Sequence, residues 1–496
     1  MALMNAFVAA LLSGPTAVLL AVVLLLLLHL VSAAFSSKEP PGPKPLPLFG
    51  NLLQLDLQRP YRSLYELSKK YGSMFTVYLG PKKVVVLAGY EAVKAAVVGY
   101  ERRDCPLFKD LNPGGHGELF YVMRCFVETG IVLANALKDF GMPRSLSEEQ
   151  ILEKCGYLIE VFEQHEGNPF DTTAPVNYAV SNVIASIVYG SRFEYGDPHF
   201  TIVVCGVTEM TSLAGSATVQ FYNMFPRLLR WIRQAIAKTG GNDVGFMKDF
   251  VKHLKRTLNP DMSRGFVDCL LIRQQDEQDM GVPDSVYTDQ NLVSLVGDLF
   301  ATGTNTSATL RWALLFMAKY PQIQDQVQEE LDRVLGRGYI SVEDRRKLPF
   351  TNAVIHETQR MVNIVPMAVP YQTTHDVAFQ GYFVQRGTTV FSLLTSALYD
   401  ESEWETPHTF NPAHFLNEEG RFIQRRAFMA FARGCKVCLG ESLARMELFL
   451  FFTSLLQRFR FTAPPGVSED DLDLTPAEGV TSSPPPHQLC AIDRWR

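Results

Sequence analysis

The chain opens on a stretch in which almost every position is apolar. Residues 16–35, "TAVLLAVVLLLLLHLVSAAF", match the roughly twenty residues a helix needs to cross a bilayer. No Lys or Arg precedes the stretch, whereas Lys38 and Lys44 follow it. The positive-inside rule therefore puts the N-terminus in the lumen and the body in the cytosol. A cleaved signal peptide with "VSAA" as its site is the alternative, but the missing basic n-region and the long apolar run favour an uncleaved anchor. Five prolines in "EPPGPKPLPLFGN", residues 39–51, cannot continue a helix and favour a stiff extended arm. The expected layout is an anchor over 1–36, a Pro-rich linker over 37–51 and a globular body over 52–496.

Within the body, residues 60–72 place apolar positions at helical spacing and close on glycine, which predicts a capped amphipathic helix. Residues 74–89 hold two β-rich runs around Gly80-Pro81, the pattern of a hairpin. From about 148 to 319 the pattern is helical, with breaks near 167–169, 196–198 and 240–241. Residues 289–319 form one long helical candidate stopped by Pro321. At about 1.5 Å per residue it would cross a whole domain, roughly 45 Å. A further helix pair follows, and residues 376–394 then alternate as strands around turns. The last helix, over 441–459, is apolar nearly all round and should be buried. The fold class is mainly α, with a smaller β region contributed by both ends of the chain.

Composition agrees and narrows the function. With 496 residues, 47% hydrophobic and 20% charged, the chain suits a large folded body rather than disorder. A net charge of -6 makes no general case for nucleic-acid binding. Apart from Cys435 and Cys438, the cysteines lie singly in apolar surroundings, as reduced buried thiols do on the cytosolic side of a membrane.

The chemistry concentrates in "FARGCKVCLG", residues 431–440. A structural zinc site takes four ligands, and this pair supplies two with no second pair at suitable spacing. A thioredoxin-like redox pair would follow a strand in a short βαβ unit, which the surroundings do not offer. A single thiolate on iron remains. Gly434 and Gly440 let backbone approach a flat macrocycle, and N–H groups at the next helix start can hold the sulfur's charge. Lys436 could face an acidic group on the cofactor.

The decapeptide resembles the haem-binding loop of the cytochromes P-450, Phe-x-x-Gly-x-Arg-x-Cys-x-Gly, with Lys436 in place of the usual Arg. By that resemblance Cys438 is the proximal ligand, Cys435 is a bystander, and Phe431 and Gly440 belong to the haem cradle. "ETQR" (357–360) is similar to the family's Glu-x-x-Arg, and "FNPAHF" (410–415) to its Pro-x-Arg-Phe segment, with His414 in the Arg position. Glu357, Arg360 and His414 are then a folding network near the haem. "ATGTNTS" (301–307) resembles the oxygen-activation site, with Gly303 to open the long helix beside bound dioxygen and Thr306 to deliver protons. Asn305 stands where an acid is usual, and an amide cannot relay a proton. Together with "PPGPKPLPLFGN" and "GMPRSLSEEQILEKC", these motifs look like a microsomal, fish-type vertebrate family-2 member, over about 38–120 and 137–496.

The likeness breaks at 121–137. There the family has a helix bearing Trp-x-x-x-Arg toward a haem propionate, whereas this chain's four tryptophans are at 231, 312, 404 and 495. Tyr371 also replaces a family histidine. The expected propionate partners are Arg102, Lys436 and Tyr371.

The resemblance implies a cytochrome P-450 fold and a haem-thiolate monooxygenase holding haem b (iron protoporphyrin IX). It would insert one atom of O2 into small lipophilic substrates such as fatty acids, steroids or xenobiotics. No dinucleotide-binding glycine motif is present, so NADPH electrons would come from a separate flavoprotein, NADPH-cytochrome P-450 reductase, with cytochrome b5 as a further candidate partner. Arg425, Arg426, Arg433 and Lys436 could dock its acidic surface. The implied pocket residues are Phe108, Phe120, Ala301, Thr302, Val365, Val369 and Val480. The implied location is the endoplasmic reticulum membrane, with one N-terminal anchor and a cytosolic catalytic domain. Two rival readings are a haem-thiolate isomerase or dehydratase that needs no reductase, and a catalytically impaired haem protein.

Overall fold

The computed structural model describes residues 39–98, 108–109, 144–190, 192–215, 241–281, 287–373, 375–433, 437–438, 440–479 and 481–495. The apolar run at 16–35 and the altered segment at 121–137 lie outside them. Among the described residues no helix is long and apolar enough to cross a membrane.

The amphipathic pattern at 60–72 becomes α1 (Pro60–Tyr71), with proline in the first turn and Gly72 closing it at φ +92°. Helices α2 (Tyr90–Val98), α3 (Arg144–Glu163), α4 (Thr173–Tyr189), α5 (Pro198–Gly215), α6 (Gly241–Arg256) and α7 (Phe266–Asp279) lead to the long α8 (Asp289–Lys319). After it come α9 (Pro321–Val334), α10 (Pro349–Val362), the short α11 (Leu394–Leu398) and α12 (Glu441–Arg458).

The hairpin at 74–89 is β1 (Met74–Leu79) and β2 (Lys82–Leu87), in register with Met74 opposite Leu87. The remaining strands are β3 (Phe108–Lys109), β4 (Tyr371–Thr373), β5 (Val377–Phe379), β6 (Tyr382–Val384), β7 (Thr389–Ser392), β8 (Phe459–Thr462) and β9 (Cys490–Asp493). The main sheet runs β1-β2-β7-β4-β3, with β2 and β7 parallel and the other neighbours antiparallel. Strands far apart in the chain thus share one sheet, as the pattern predicts. Mainly helical with smaller sheets, the architecture agrees with the mainly α class expected from the sequence.

The bounds of α8 have local causes. The Thr288 hydroxyl accepts from the Asn291 N–H at 3.2 Å, a cap at the start, and Pro321 opens the next helix. From Thr306 to Ala318 every residue of α8 is buried, whereas Ala301, Thr302, Thr304 and Asn305 keep open surface. The buried half packs against α4, α10 and α12. Trp312 donates to the Ser482 carbonyl at 2.7 Å, and Phe316 stacks on Phe410 with ring centroids 4.5 Å apart. The buried Gln324 amide ties α9 to the neighbouring chain, donating to the carbonyls of Met317 and Phe461 and accepting from the Phe461 N–H. The long helix is therefore fixed along its second half, with its more open stretch directly upstream.

Candidate active site

Cys438 lies just before α12. Its N–H donates to the Phe431 carbonyl at 2.9 Å, and its own carbonyl accepts from Glu441. Ala432 holds the intervening loop at φ +56°, a left-handed conformation that costs a non-glycine residue about 1 kcal/mol. Cys438 is exposed as a residue, yet desolvation pushes its thiol up. Backbone hydrogen bonds from Gly440 and Glu441 pull the thiol the other way, toward thiolate. A Cβ at Gly440 would come within 4.0 Å of the Cys438 sulfur. A cysteine at a helix start, with backbone N–H groups favouring its thiolate, fits a haem iron, whose charge would complete the deprotonation.

Behind this loop stands a cluster that sequence reasoning missed. Arg445 donates to the Glu441 carboxylate at 2.8 Å, one turn earlier in α12, and to His356 Nε2 on α10 at 2.6 Å. Its guanidinium lies 5.1 Å from the Phe431 ring centroid and 5.6 Å from that of Phe428. His356 Nδ1 sits 2.7 Å from the Asn352 carbonyl, so Nδ1 carries the proton and Nε2 accepts. Burial, then the Arg445 charge, push His356 down to about 3, and it stays a neutral acceptor. The Glu441–Arg445 spacing in "ESLARMELF" was a legible signal for half of this cluster.

The structure brings Glu357, Arg360 and His414 together. Arg360 grips Glu357 with two parallel hydrogen bonds of 2.7 and 2.8 Å, both side chains fully buried. The same guanidinium donates to the carbonyls of Leu398, Pro407 and Thr409. Glu357 also accepts from the Asn411 N–H at 2.8 Å, and His414 Nδ1 lies 3.2 Å from it. The network joins α10 to the segment that leads into the Cys438 loop.

On α8, Thr306 is buried, and burial pushes the Glu447 carboxyl of α12 up to about 8 against a lowering by the Thr306 hydroxyl. Gly303 is buried too, and a Cβ there would meet Ile184 of α4 at 3.1 Å. Close packing of two helices is one physical reason for glycine at this position. Asn305 is half-buried and its carbonyl accepts from the Thr309 hydroxyl. Thr302 is exposed and donates to the Leu299 carbonyl, while Ala301 packs beside the α4–α8 cluster. Val365 is half-buried against the main core and Val369 is 47% exposed. Tyr371 is buried in β4 with its hydroxyl 2.7 Å from that of Ser392, a partner inside the sheet. Arg102, Phe120, Lys436 and Val480, and the side chain of Phe108, lie outside the described residues.

Of the basic residues near the loop, Arg425 donates to the Glu403 carbonyl and lies 5.3 Å from the Trp404 ring. Arg433 donates to the Arg425 carbonyl, and Arg426 is exposed.

A cysteine at the start of α12, with α8 packed on that helix and carrying an open stretch and a buried threonine, fits a haem-thiolate class of site. The cytochrome P450 family profile matches residues 40–491. The chain is 58% identical to cytochrome P450 2K1 of Oncorhynchus mykiss over 97% of its own length and 98% of that protein's. It is 52% identical to cytochrome P450 2K6 of Danio rerio over 90% of each, and 42% identical to cytochrome P450 2F2 of Mus musculus over 91% and 93%. The chain belongs to the cytochrome P450 family, and within it to the family-2, fish-type proteins. It is thus a monooxygenase with a haem cofactor, electrons supplied by a reductase, and a small-molecule substrate.

Proposed function

We propose that this protein inserts one oxygen atom from O2 into a small lipophilic substrate (a fatty acid, a steroid or a foreign compound), with Cys438 as the haem's thiolate ligand. The observation that carries the reading is Cys438 just before α12, with the Gly440 and Glu441 backbone N–H groups pulling its thiol toward thiolate. When bound, the haem supplies oxygen activation favoured by thiolate electron donation. The chain's own part is to hold the sulfur, wall the pocket and manage protons. Arg445, pinned by His356 and Glu441, packs against Phe431 and steadies the loop. The open stretch of α8, Ala301 to Asn305, faces the substrate with Val365 and Val369. Thr306 holds a proton next to it, and Gly303 sets the spacing of α8 from α4.

Residues 1–36 anchor the chain in the endoplasmic reticulum membrane and residues 37–51 space it from a cytosolic catalytic domain. Among the described residues of the basic group Arg426 is the exposed one, and the best placed to meet an acidic surface on NADPH-cytochrome P-450 reductase. Cytochrome b5 is a second partner for the same face. The test is reconstitution of the full chain with that reductase and a panel of lipophilic compounds. NADPH-dependent incorporation of labelled O2 into product is expected. Product formed without NADPH would move the protein to the isomerase or dehydratase reading.

Haem retention offers a separate check. The family's Trp-x-x-x-Arg pair is missing from 121–137, leaving Arg102, Lys436 and Tyr371, whose hydroxyl also meets Ser392, as the proposed propionate partners. A lost charge-assisted hydrogen bond costs about 1.5–3 kcal/mol. Haem should therefore pass to apomyoglobin roughly tenfold faster than from a family-2 relative that keeps the pair. Equal rates would mean that 121–137 holds the propionate by other groups.

A further inference from the structure

Arg445 touches both flanks of the Cys438 loop. One turn after Glu441 in α12, its Nε donates to the Glu441 carboxylate at 2.8 Å and its Nη1 to His356 Nε2 of α10 at 2.6 Å. The guanidinium also lies over the rings of Phe431 and Phe428, 5.1 and 5.6 Å from their centroids. Phe431 and Glu441 both bond to the backbone of Cys438. The Phe431 carbonyl accepts from the Cys438 N–H at 2.9 Å, and the Glu441 N–H donates to the Cys438 carbonyl at 3.2 Å. One side chain thus fixes the residue that holds Cys438 from the loop and the residue that holds it from the helix.

The loop needs such a hold. Ala432 follows Phe431 at φ +56°, a left-handed backbone that a β-carbon disfavours and that persists only where the surroundings impose it. The direction of the grip is set from α10. His356 is 5% exposed, with the rings of Phe415, Phe422 and Phe428 at 5.5, 4.6 and 5.2 Å. Its Nδ1–H is taken by the Asn352 carbonyl at 2.7 Å, so Nε2 presents a lone pair to Arg445. That acceptor draws the guanidinium inward over Phe431, leaving 19% of the Arg445 side chain accessible. A lysine could not replace it, because one compact ammonium cannot reach the carboxylate, the imidazole and the rings together.

We propose that Arg445 is the positioning residue that keeps Cys438 on the iron, and that His356 aims it. The proposal rests on Cys438 being the haem's ligand, as in the reading above, and adds what governs the lifetime of that ligation. While the grip holds, Cys438 cannot withdraw without breaking its bond to Phe431 or to Glu441. Once it is lost, Phe431 is free to turn, Ala432 relaxes out of its left-handed conformation, and the sulfur moves off while the rest of the pocket keeps the cofactor.

Resonance Raman spectroscopy of the ferric, full-length holoprotein reads the iron–sulfur stretch. Reduced, CO-bound spectra followed during mild heating read how long the ligation lasts. Arg445→Lys is expected to lower the stretch and shorten the life of the thiolate-type band several-fold at unchanged total haem. His356→Phe, which keeps a ring but no acceptor, should shorten it as well. His356→Gln, which returns an acceptor to the place of Nε2, should restore the wild-type lifetime. A purely structural role would move total haem and the circular-dichroism melt along with the band, and would not separate Gln from Phe. A wild-type stretch and lifetime in Arg445→Lys, equal lifetimes in the two His356 variants, or such a parallel loss of haem and fold each overturn the proposal. Should Arg445→Lys take up no haem, the His356 pair decides alone. A wild type with no thiolate-type band would overturn the haem reading instead.

Discussion

Cys438→Ser is expected to abolish the thiolate-type Soret band of the reduced, CO-bound protein and to reduce NADPH-driven turnover to background. A thiol next to iron deprotonates readily, and the N–H groups of Gly440 and Glu441 already favour the anion. A serine hydroxyl ionises far less readily and would offer the metal a weak neutral oxygen, without the electron donation that favours O–O cleavage. The fold should survive, because Cys438 has open surface and makes its loop contacts through the backbone, which far-UV circular dichroism can check. Cys435→Ser should leave the band in place. The other described cysteines, 155, 205, 269 and 490, lie on α3, α5, α7 and β9, with no metal-binding cluster among the described residues. A band that survives Cys438→Ser and disappears in Cys435→Ser would reverse the ligand assignment.

What was legible in the sequence was whatever is written locally. The proline at 321 stops α8, Gly80-Pro81 turns the first hairpin, and the all-round apolar character of 441–459 marks a buried helix. Glu357 and Arg360 could be paired because three residues on a helix is a contact distance. Contacts between helices follow no such spacing. His356 meets Arg445 across 89 residues, and Glu447 is buried only because α12 packs into the helical core against α8. Nothing in "RMELF" distinguishes a buried glutamate from a solvated one until that packing is known. Short strands such as β4 are poorly marked for the same reason, since three residues hold too little alternation and pairing with β7 decides their state.

Arg360→Met is expected to be the most destabilising single change in the body of the protein, at about 3–5 kcal/mol. Both members of the Glu357–Arg360 pair are fully buried, and the guanidinium also satisfies three backbone carbonyls from the chain before the haem loop. Methionine fills the volume but leaves the Glu357 carboxylate with only the Asn411 N–H and His414, and leaves those carbonyls unpaired. Lysine should not rescue it, because a single ammonium cannot make the two parallel bonds and reach the carbonyls at once. The exposed pair Lys69–Glu66, with side chains 53% and 66% accessible, sets the contrast. Breaking it should cost no more than about 1 kcal/mol, because solvent already screens the charges. Urea unfolding monitored by circular dichroism would rank the two, and co-purified haem would report the consequence for the site. A shift for Arg360→Met no larger than that for Lys69→Met would mean that the network tunes the Cys438 loop without holding the fold together.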